Sequence, residues 1–149
     1  MKKRYEKERN FLKSNFSEFK KIKTDKMKGK PEPERVKSYE LNSIIIDLPA
    51  VSKNVLKKPN IFDCIKDRRS TRFYSEEPVS LEELSYLLWA TQGIIGTSKL
   101  GLTYRTVPCS GATHTFETYL FINNVEGLER GVYRYLPVEH KLLFMEAME

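Results

Sequence analysis

The sequence contains few of the residues that build metal sites and disulfide frameworks. Its 149 residues include two cysteines and two histidines, and no metal-ligand spacing joins them. Two cysteines in a chain of this length do not predict a disulfide scaffold. We therefore expect no metal site, and we expect Cys64, which lies on an amphipathic run, to be a small buried hydrophobic residue.

Long apolar runs are also absent. The basic N-terminus leads into no apolar segment of the kind that a signal peptide carries. No run approaches the length that a membrane-spanning helix needs. The sequence thus predicts a cytoplasmic protein without a membrane partner.

Positive charge is concentrated in the N-terminal part of the chain. Residues 1–58 contain 17 lysines and arginines against 8 acidic residues, whereas residues 59–149 contain 9 against 12. We therefore predict a basic N-terminal arm over 1–58 and a folded domain over 59–149. Nucleic-acid binding is not expected of the arm, because acidic residues interrupt its lysines and no aromatic platform or groove-reading motif accompanies them.

The N-terminal arm is predicted to be helical over residues 1–28, with a narrow apolar stripe that suits docking on a neighbouring surface. The stripe consists of Phe11, Leu12, Phe16 and Phe19. Alternating prolines after Gly29 then favour an extended chain over 34–58, with a strand-like patch at 44–46.

Capping residues predict two helices in the domain. Asn60 can cap a helix that runs to about Asp67, and Ser80 opens a capping box with Glu83. Gly93 is predicted to end the second helix, and a flexible connection follows to residue 102. The apolar face of the second helix is predicted to lie in the core; it contains Leu81, Leu84, Leu87 and Leu88.

Three segments after residue 117 are strand-like. Residues 118–123 are rich in aromatic and β-branched side chains. Residues 131–135 and 140–144 are predicted to form a hairpin around Pro137.

A dense group of arginines and hydroxyls follows the first predicted helix. Arg68, Arg69, Ser70 and Arg72 lie within five residues. Arginine forks match phosphate oxygens, and hydroxyls can reach a ribityl or sugar chain. The segment is either a phosphate clamp or a solvated charged turn.

A second segment of small residues runs from Arg105 to His114. A proline followed by small residues and a glycine lets backbone groups approach a flat ligand closely. An ordinary loop before a strand is the alternative. The residues concerned are Pro108, Cys109, Ser110, Gly111 and Ala112.

Together these segments resemble the flavin-dependent nitroreductase family, and within it the branch of SagB-type dehydrogenases. The shared pattern is R-R-S-x-R, a capped helix, and then R-x-x-P-x-x-G-A-x-H entering a strand. Ile46 to Pro49 and Gly131 to Leu142 resemble two further motifs of that branch. The resemblance implies an α+β fold, the nitroreductase-like FMN-binding fold with a mixed sheet and flanking helices, of which this chain holds the N-terminal portion.

The resemblance also implies how a flavin would be held. FMN would lie at a homodimer interface, with its phosphate and ribityl chain on Arg68, Arg69, Ser70 and Arg72. The loop from Pro108 to Ala112 would approach the isoalloxazine ring. Cys109 replaces a serine of the family, and Thr115 replaces a proline. His114 is either a structural hydrogen-bond partner or a group that polarises a flavin carbonyl. Glu117 is similarly ambiguous and is expected to line the start of the strand, and no catalytic residue is predicted.

The implied activity is ping-pong hydride transfer through FMN, with NAD(P)H as a candidate electron donor. The substrate would be a small molecule or a peptide, as in a SagB-like azoline dehydrogenase. Because the chain stops soon after the predicted hairpin, it is expected to be a truncated or split member. The alternatives are a non-catalytic fragment that dimerises without a competent flavin site, and a binding module with a basic arm.

Overall fold

The computed structural model describes residues 5–14 and 16–149. The chain divides into two compact units, Met1–Lys37 and Ser38–Glu149. The predicted boundary between an arm and a folding domain at residues 58 and 59 stays a prediction. In the described part of the chain, no helix is both long enough and apolar enough to cross a membrane.

The first unit contains short helices rather than one continuous helix. Helix α1 spans Glu6–Phe11, helix α2 spans Phe16–Phe19, and a 3₁₀ turn spans Lys26–Lys28. The 3₁₀ turn ends at Gly29, whose φ of 72° is the left-handed conformation that suits glycine. The predicted stripe residues Phe11, Leu12, Phe16 and Phe19 are all exposed. The parts of the helical prediction on residues 1–4 and 15 lie outside the described residues.

The strands of the second unit are β1 Ile45–Asp47, β2 Ile94–Thr97, β3 Thr103–Arg105, β4 Tyr119–Ile122, β5 Gly131–Leu136 and β6 Lys141–Ala147. The unit is built on a four-stranded antiparallel sheet with the order β1-β6-β5-β4. Its central hairpin, β5–β6, turns at Pro137 as the sequence predicts. Strand β1 pairs with β6 through Ile45 opposite Leu143. A separate two-stranded antiparallel sheet joins β2 to β3, and one parallel bridge joins Val79 to Val125.

Both predicted helices of this unit form with the expected caps. Helix α3 spans Ile61–Asp67, and the Asn60 side chain accepts a hydrogen bond from the Phe62 N–H at 2.8 Å. Helix α4 spans Leu81–Gln92 and begins with the complete capping box of Ser80 and Glu83. Helices and antiparallel sheets in one unit confirm the predicted α+β class.

The core lies between α4 and the inner face of the sheet. Its buried members are Leu84, Leu88, Ile122, Tyr133, Tyr135 and Leu142. Leu81 packs against this cluster, but Leu87 is exposed. The side of α4 that faces the core therefore contains three of the four predicted leucines. Burial of such side chains is the main stabilising contribution to the unit.

Two local predictions are wrong. Residues 93–102 do not form a flexible connection, because Ile94–Thr97 pairs with Thr103–Arg105 around a tight turn. Backbone bonding of the Ser98 N–H to Leu102 O, at 2.8 Å, closes that turn. Cys64 is exposed rather than buried, and its thiol lies 3.2 Å from the carbonyl oxygen of Lys58.

Candidate functional site

The arginine segment begins where α3 ends. Arg68 is the C-cap of the helix, with an extended ψ of 124° that turns the chain away from the helix axis. An ion pair of 2.6 Å between Lys58 and Asp67 holds the end of α3 to the residues that precede it. The segment therefore leaves the helix at a defined point.

The side chains of this segment face solvent. Arg68, Arg69, Ser70 and Arg72 are all exposed. The guanidinium of Arg69 bends back and donates to the carbonyl oxygens of Arg68, at 2.9 Å, and of Lys66, at 3.4 Å. Arg69 is therefore partly committed to its own backbone, while the segment as a whole presents cationic forks and a hydroxyl to solvent.

The second predicted segment is anchored to the C-terminal end of α4. Thr106 makes two hydrogen bonds to this end of the helix: its N–H donates to Gly93 O, and its hydroxyl donates to Trp89 O, each at 3.0 Å. Arg105 makes a third, from Nη1 to the side-chain oxygen of Gln92 at 3.1 Å. Gly93 O is the carbonyl of the helix C-cap and lacks a partner within the helix, so the Thr106 N–H satisfies it, and the three bonds together fix the start of the segment.

Gly93 makes this close approach possible. A Cβ at position 93 would collide with the ring and the carbonyl oxygen of Trp89. Its φ of −63° is ordinary, so the glycine is required here by space rather than by backbone conformation.

The loop itself turns sharply over small residues. A 3₁₀ turn spans Ser110–Ala112, and Gly111 has a φ of 67°. Ala112 and His114 also have positive φ, at 52° and 44°. Such conformations cost energy for residues with a Cβ, and they cluster at ligand sites. A Cβ at Gly111 would meet only the Thr113 methyl, at 3.8 Å, so the outer side of the turn is open.

The thiol of Cys109 has a polarised environment. The backbone N–H of His114 donates to its sulfur at 3.1 Å, and Thr113 Oγ1 lies 3.7 Å away. These two contacts lower the pKa of the Cys109 thiol, and the positive charge of Arg105 lowers it further. The thiol is exposed, so the thiolate would be available at the loop surface.

Arg105 lies half-buried beside this loop. Its Nε is buried and has no hydrogen-bond partner among residues 5–14 and 16–149. Burial lowers the pKa of Arg105, whereas Glu117 raises it. Burial also lowers the pKa of His114, and the charge of Arg105 lowers it further, whereas a backbone hydrogen bond with Thr103 opposes the shift.

Glu117 links this region to the sheet. Its carboxylate lies 3.8 Å from Nε of Arg134, a side chain that is only 2% exposed. Arg134 also donates to the carbonyl oxygen of Ser38, at 3.3 and 3.4 Å. Glu117 therefore has a defined structural task as the counter-charge of a buried arginine.

The residues present suit a flavin mononucleotide. Arginine forks and a serine hydroxyl at the end of α3 are the donor set that a phosphate and a ribityl chain require. The Gly111 turn offers an open, slim surface of the kind that a planar ring needs. Three residues that shape this region were not predicted as site residues: Gln92, Arg105 and Thr106. The R-x-x-P spacing contained the signal for Arg105, but nothing in the sequence indicated its contact with Gln92.

The two predicted segments are held by separate sets of hydrogen bonds. The arginine segment bonds to its own turn, and the loop bonds to itself and to α4. The structure of one chain thus presents two candidate half-sites, an exposed arginine segment and a slim backbone turn.

Comparison with known proteins identifies the family model that this chain matches. Residues 65–148 match the model described as the nitroreductase family. A protein of Methanocaldococcus jannaschii that is named as a nitroreductase is 38% identical over 98 residues, which cover 66% of this chain and 45% of that protein. A crystal structure of a protein from Ralstonia eutropha, also named as a nitroreductase, matches with a TM-score of 0.53 and 29% identity. That match covers 79% of this chain and 50% of the other, so the chain spans about half the length of the relatives it matches. The likeness confirms the prediction of a partial nitroreductase-like fold.

Proposed function

Because the chain belongs to the nitroreductase family, we propose that it is an FMN-dependent oxidoreductase that passes hydride through the flavin in two half-reactions. The observation that carries this proposal is the Pro108–His114 loop, which is anchored to α4 and turns through three positive φ angles at Gly111, Ala112 and His114. Family members typically use a flavin, and this loop supplies the slim surface that a flavin ring would need.

The phosphate end of FMN would lie on the arginine segment. Arg68 and Arg72 would each offer a charged fork, and Ser70 would offer a hydroxyl to the phosphate or the ribityl chain. Arg69 is the weakest candidate of the four, because its guanidinium already donates to two backbone carbonyls.

The ring end would lie against the residues from Pro108 to Ala112. When bound, FMN supplies a ring that accepts hydride from one partner and gives it to another. The residues of this chain would hold and orient that ring. Cys109, with its lowered pKa, would place a polarisable sulfur where relatives of this type carry a serine hydroxyl.

A homodimer with FMN at the interface would bring the two half-sites together. Exposed apolar side chains on α3 suit such an interface, since Ile61, Phe62 and Ile65 are all at least 66% exposed. NAD(P)H is the proposed electron donor for a substrate that the flavin reduces, whereas a substrate that is oxidised would itself supply the electrons. The cytoplasmic location and the absence of a nucleic-acid partner stay predictions.

The SagB-type branch gives the most specific form of this proposal. The motifs at Ile46–Pro49 and Gly131–Leu142 support it. The substrate would be a thiazoline or oxazoline ring in a peptide. It would lose one hydride and one proton and become the aromatic azole, and an external acceptor would then take the two electrons from the flavin.

The decisive experiment is a titration with FMN in which quenching of the flavin fluorescence measures binding. The absorbance that remains after removal of free flavin measures how much FMN the protein retains. Arg68→Ala and Ser70→Ala should each weaken binding, and the arginine change should raise Kd about tenfold or more. Arg130→Ala is the matched control, because it also removes an exposed guanidinium but lies on the β4–β5 connection. Equal FMN affinity in all four proteins would refute the phosphate assignment.

A non-catalytic subunit that dimerises without flavin is the second candidate. The exposed apolar side of α3 favours it, because that surface suits protein contact whether or not flavin is bound. Analytical ultracentrifugation separates the two candidates. A dimer that takes up no FMN would support the second, whereas stoichiometric FMN in the dimer would support the first.

A further inference from the structure

Three side chains of the second unit form a continuous hydrogen-bonded chain that ends on a backbone carbonyl. The hydroxyl of Tyr135 lies 2.7 Å from Nδ1 of His140. Nε2 of His140 lies 2.8 Å from the hydroxyl oxygen of Ser85, which lies 2.6 Å from the carbonyl oxygen of Pro49. Ser85 and Tyr135 are fully buried, so these groups exchange no hydrogen bonds with bulk water.

The carbonyl at the end sets the direction of every bond. Pro49 O can only accept, so the Ser85 hydroxyl donates to it, and Ser85 Oγ then accepts from Nε2–H of His140. Nδ1 is left without a proton and accepts from Tyr135. Burial raises the pKa of Tyr135 to about 12, so this phenol keeps its proton to donate. Only one tautomer of neutral His140 satisfies all three bonds.

The backbone at His140 agrees with a side chain that is held in place. His140 ends the β5–β6 turn with a φ of 53°, a conformation that is costly for a residue with a Cβ. Its ring also contacts the Tyr135 ring edge-on, with centroids 5.7 Å apart. The three bonds join four places along the chain: Pro49, which lies two residues after β1, helix α4, strand β5 and the hairpin turn.

We propose that Tyr135, His140 and Ser85 form a clasp that fastens the Pro49 segment to α4 and the hairpin while His140 is neutral, and that opens when His140 takes a second proton. A proton on Nδ1 would face the hydroxyl proton of Tyr135, so the bond between these two groups would have to reverse, while the Nε2–H bond to Ser85 keeps its direction. Reversal would leave a buried tyrosine proton without an acceptor, which is costly.

The charges around the clasp do not offset this cost. On the strand side, Lys141 follows His140 and is paired with Asp47 of β1 at 2.8 Å; on the turn side, Glu139 precedes it and is exposed. Tyr135 on β5 and Ser85 on α4 are uncharged, and the positive charge of Arg105 on β3, which acts on Tyr135, would repel a histidine cation rather than stabilise it. Burial is the main cause that lowers the pKa of His140, and the Pro49 carbonyl opposes it. Because the folded pKa is lowered, the clasp is complete above the ordinary histidine value of about 6.5 and is lost as pH falls through the folded pKa.

Nitrogen NMR of the histidine rings tests the clasp without any ligand. The chain has two histidines, so His114→Gln leaves the signal of His140 alone. At pH 8 we expect a protonated Nε2 and an unprotonated Nδ1. On acidification, protonation of Nδ1 should coincide with amide hydrogen exchange in residues 45–50 that is faster relative to the intrinsic rate at each pH. The opposite tautomer at pH 8, or protonation without faster exchange, would overturn the proposal.

Tyr135→Phe supplies an independent test that keeps the shape of the core. Removal of the donor to Nδ1 should raise the pKa of His140, so the exchange transition should move to higher pH than in the wild type. Tyr133→Phe is the matched control, because its buried hydroxyl donates to Glu129 O at 2.9 Å and not to a histidine. A His140 titration that Tyr135→Phe leaves unchanged would contradict the clasp.

Discussion

The hydroxyl of Thr106 donates to the carbonyl oxygen of Trp89 at 3.0 Å, and this bond ties the residue that follows β3 to the last turn of α4. A second bond, from the Thr106 N–H to Gly93 O, doubles the attachment. The loop that turns at Gly111 therefore starts from a fixed point on a capped, core-packed helix. A binding loop on such a support needs little reorganisation when a ligand arrives.

Thr106→Val should lower the free energy of unfolding by about 1 kcal/mol, because it replaces a hydrogen-bonded hydroxyl with a methyl group of the same shape. Urea denaturation at pH 7 measures this change. Thr91→Val is the control, since the Thr91 hydroxyl only bonds back to the carbonyls of Leu87 and Leu88 in its own helix. Its effect should be smaller, and an equal loss in both variants would show that the loop attachment contributes nothing specific.

Gly93→Ala should destabilise the protein more strongly. The added Cβ would collide with Trp89, so the end of α4 and the start of β2 would have to move. Overpacking of this kind costs about 1–3 kcal/mol. Gly96→Ala is a matched control in the neighbouring strand, because a Cβ there would meet only the Tyr104 ring at 3.6 Å. A denaturation midpoint in Gly93→Ala equal to that of Gly96→Ala would contradict the steric argument.

Ser80→Ala should remove the side-chain half of the capping box, leave the backbone N–H of residue 80 free to donate to Glu83, and cost about 1 kcal/mol of stability. The Ser80 hydroxyl accepts from the Glu83 N–H at 3.1 Å, and the Glu83 carboxylate accepts from the Ser80 N–H at 3.0 Å. Ser52→Ala is the control, because Ser52 caps only the 3₁₀ turn Lys53–Val55. Thermal unfolding should show a clear drop in Tm for Ser80→Ala and little change for Ser52→Ala.

Local patterns predicted the helices and the main hairpin because their signals are contained in a few neighbouring residues. Asn60 and Ser80 cap α3 and α4 as the sequence indicates, and Gly93 ends α4. The β2–β3 hairpin was missed because its glycines suggested flexibility, whereas pairing of Ile94 with Arg105 depends on contacts across the turn.

The candidate site also contains some features that local sequence predicts and others that it does not. Arg68 at the end of α3 follows from the helix cap, so its position was predictable. The contacts of Arg105 with Gln92 and of Ser85 with His140 join residues 13 and 55 positions apart, and no local pattern encodes them. Cys64 was expected to be buried because it lies on an amphipathic run, but in the structure α3 exposes that side.

Cys109 should react with alkylating agents at lower pH than an ordinary thiol. The His114 N–H, 3.1 Å from its sulfur, is the main cause of its lowered pKa, and the Thr113 hydroxyl is the second. Because the thiolate is the reactive form, the midpoint of the rate-against-pH curve should lie below the usual value of about 8.5. Alkylation by iodoacetamide, followed by mass spectrometry in a Cys64→Ser background, measures it at one site.

Thr113→Val should move that midpoint to higher pH, because the variant keeps the shape of the side chain and removes the hydroxyl 3.7 Å from the sulfur. The backbone donor from His114 remains, so the midpoint should rise only part of the way. Ser110→Ala is the control, since the bond that Ser110 makes to Thr113 runs through its carbonyl oxygen and survives the change. If Cys109 titrates like a free thiol in the parent protein, the inference that its neighbours lower its pKa is wrong. If it titrates low but ignores Thr113→Val, the Thr113 hydroxyl contributes nothing, and the shift comes from the backbone donors and the charge of Arg105.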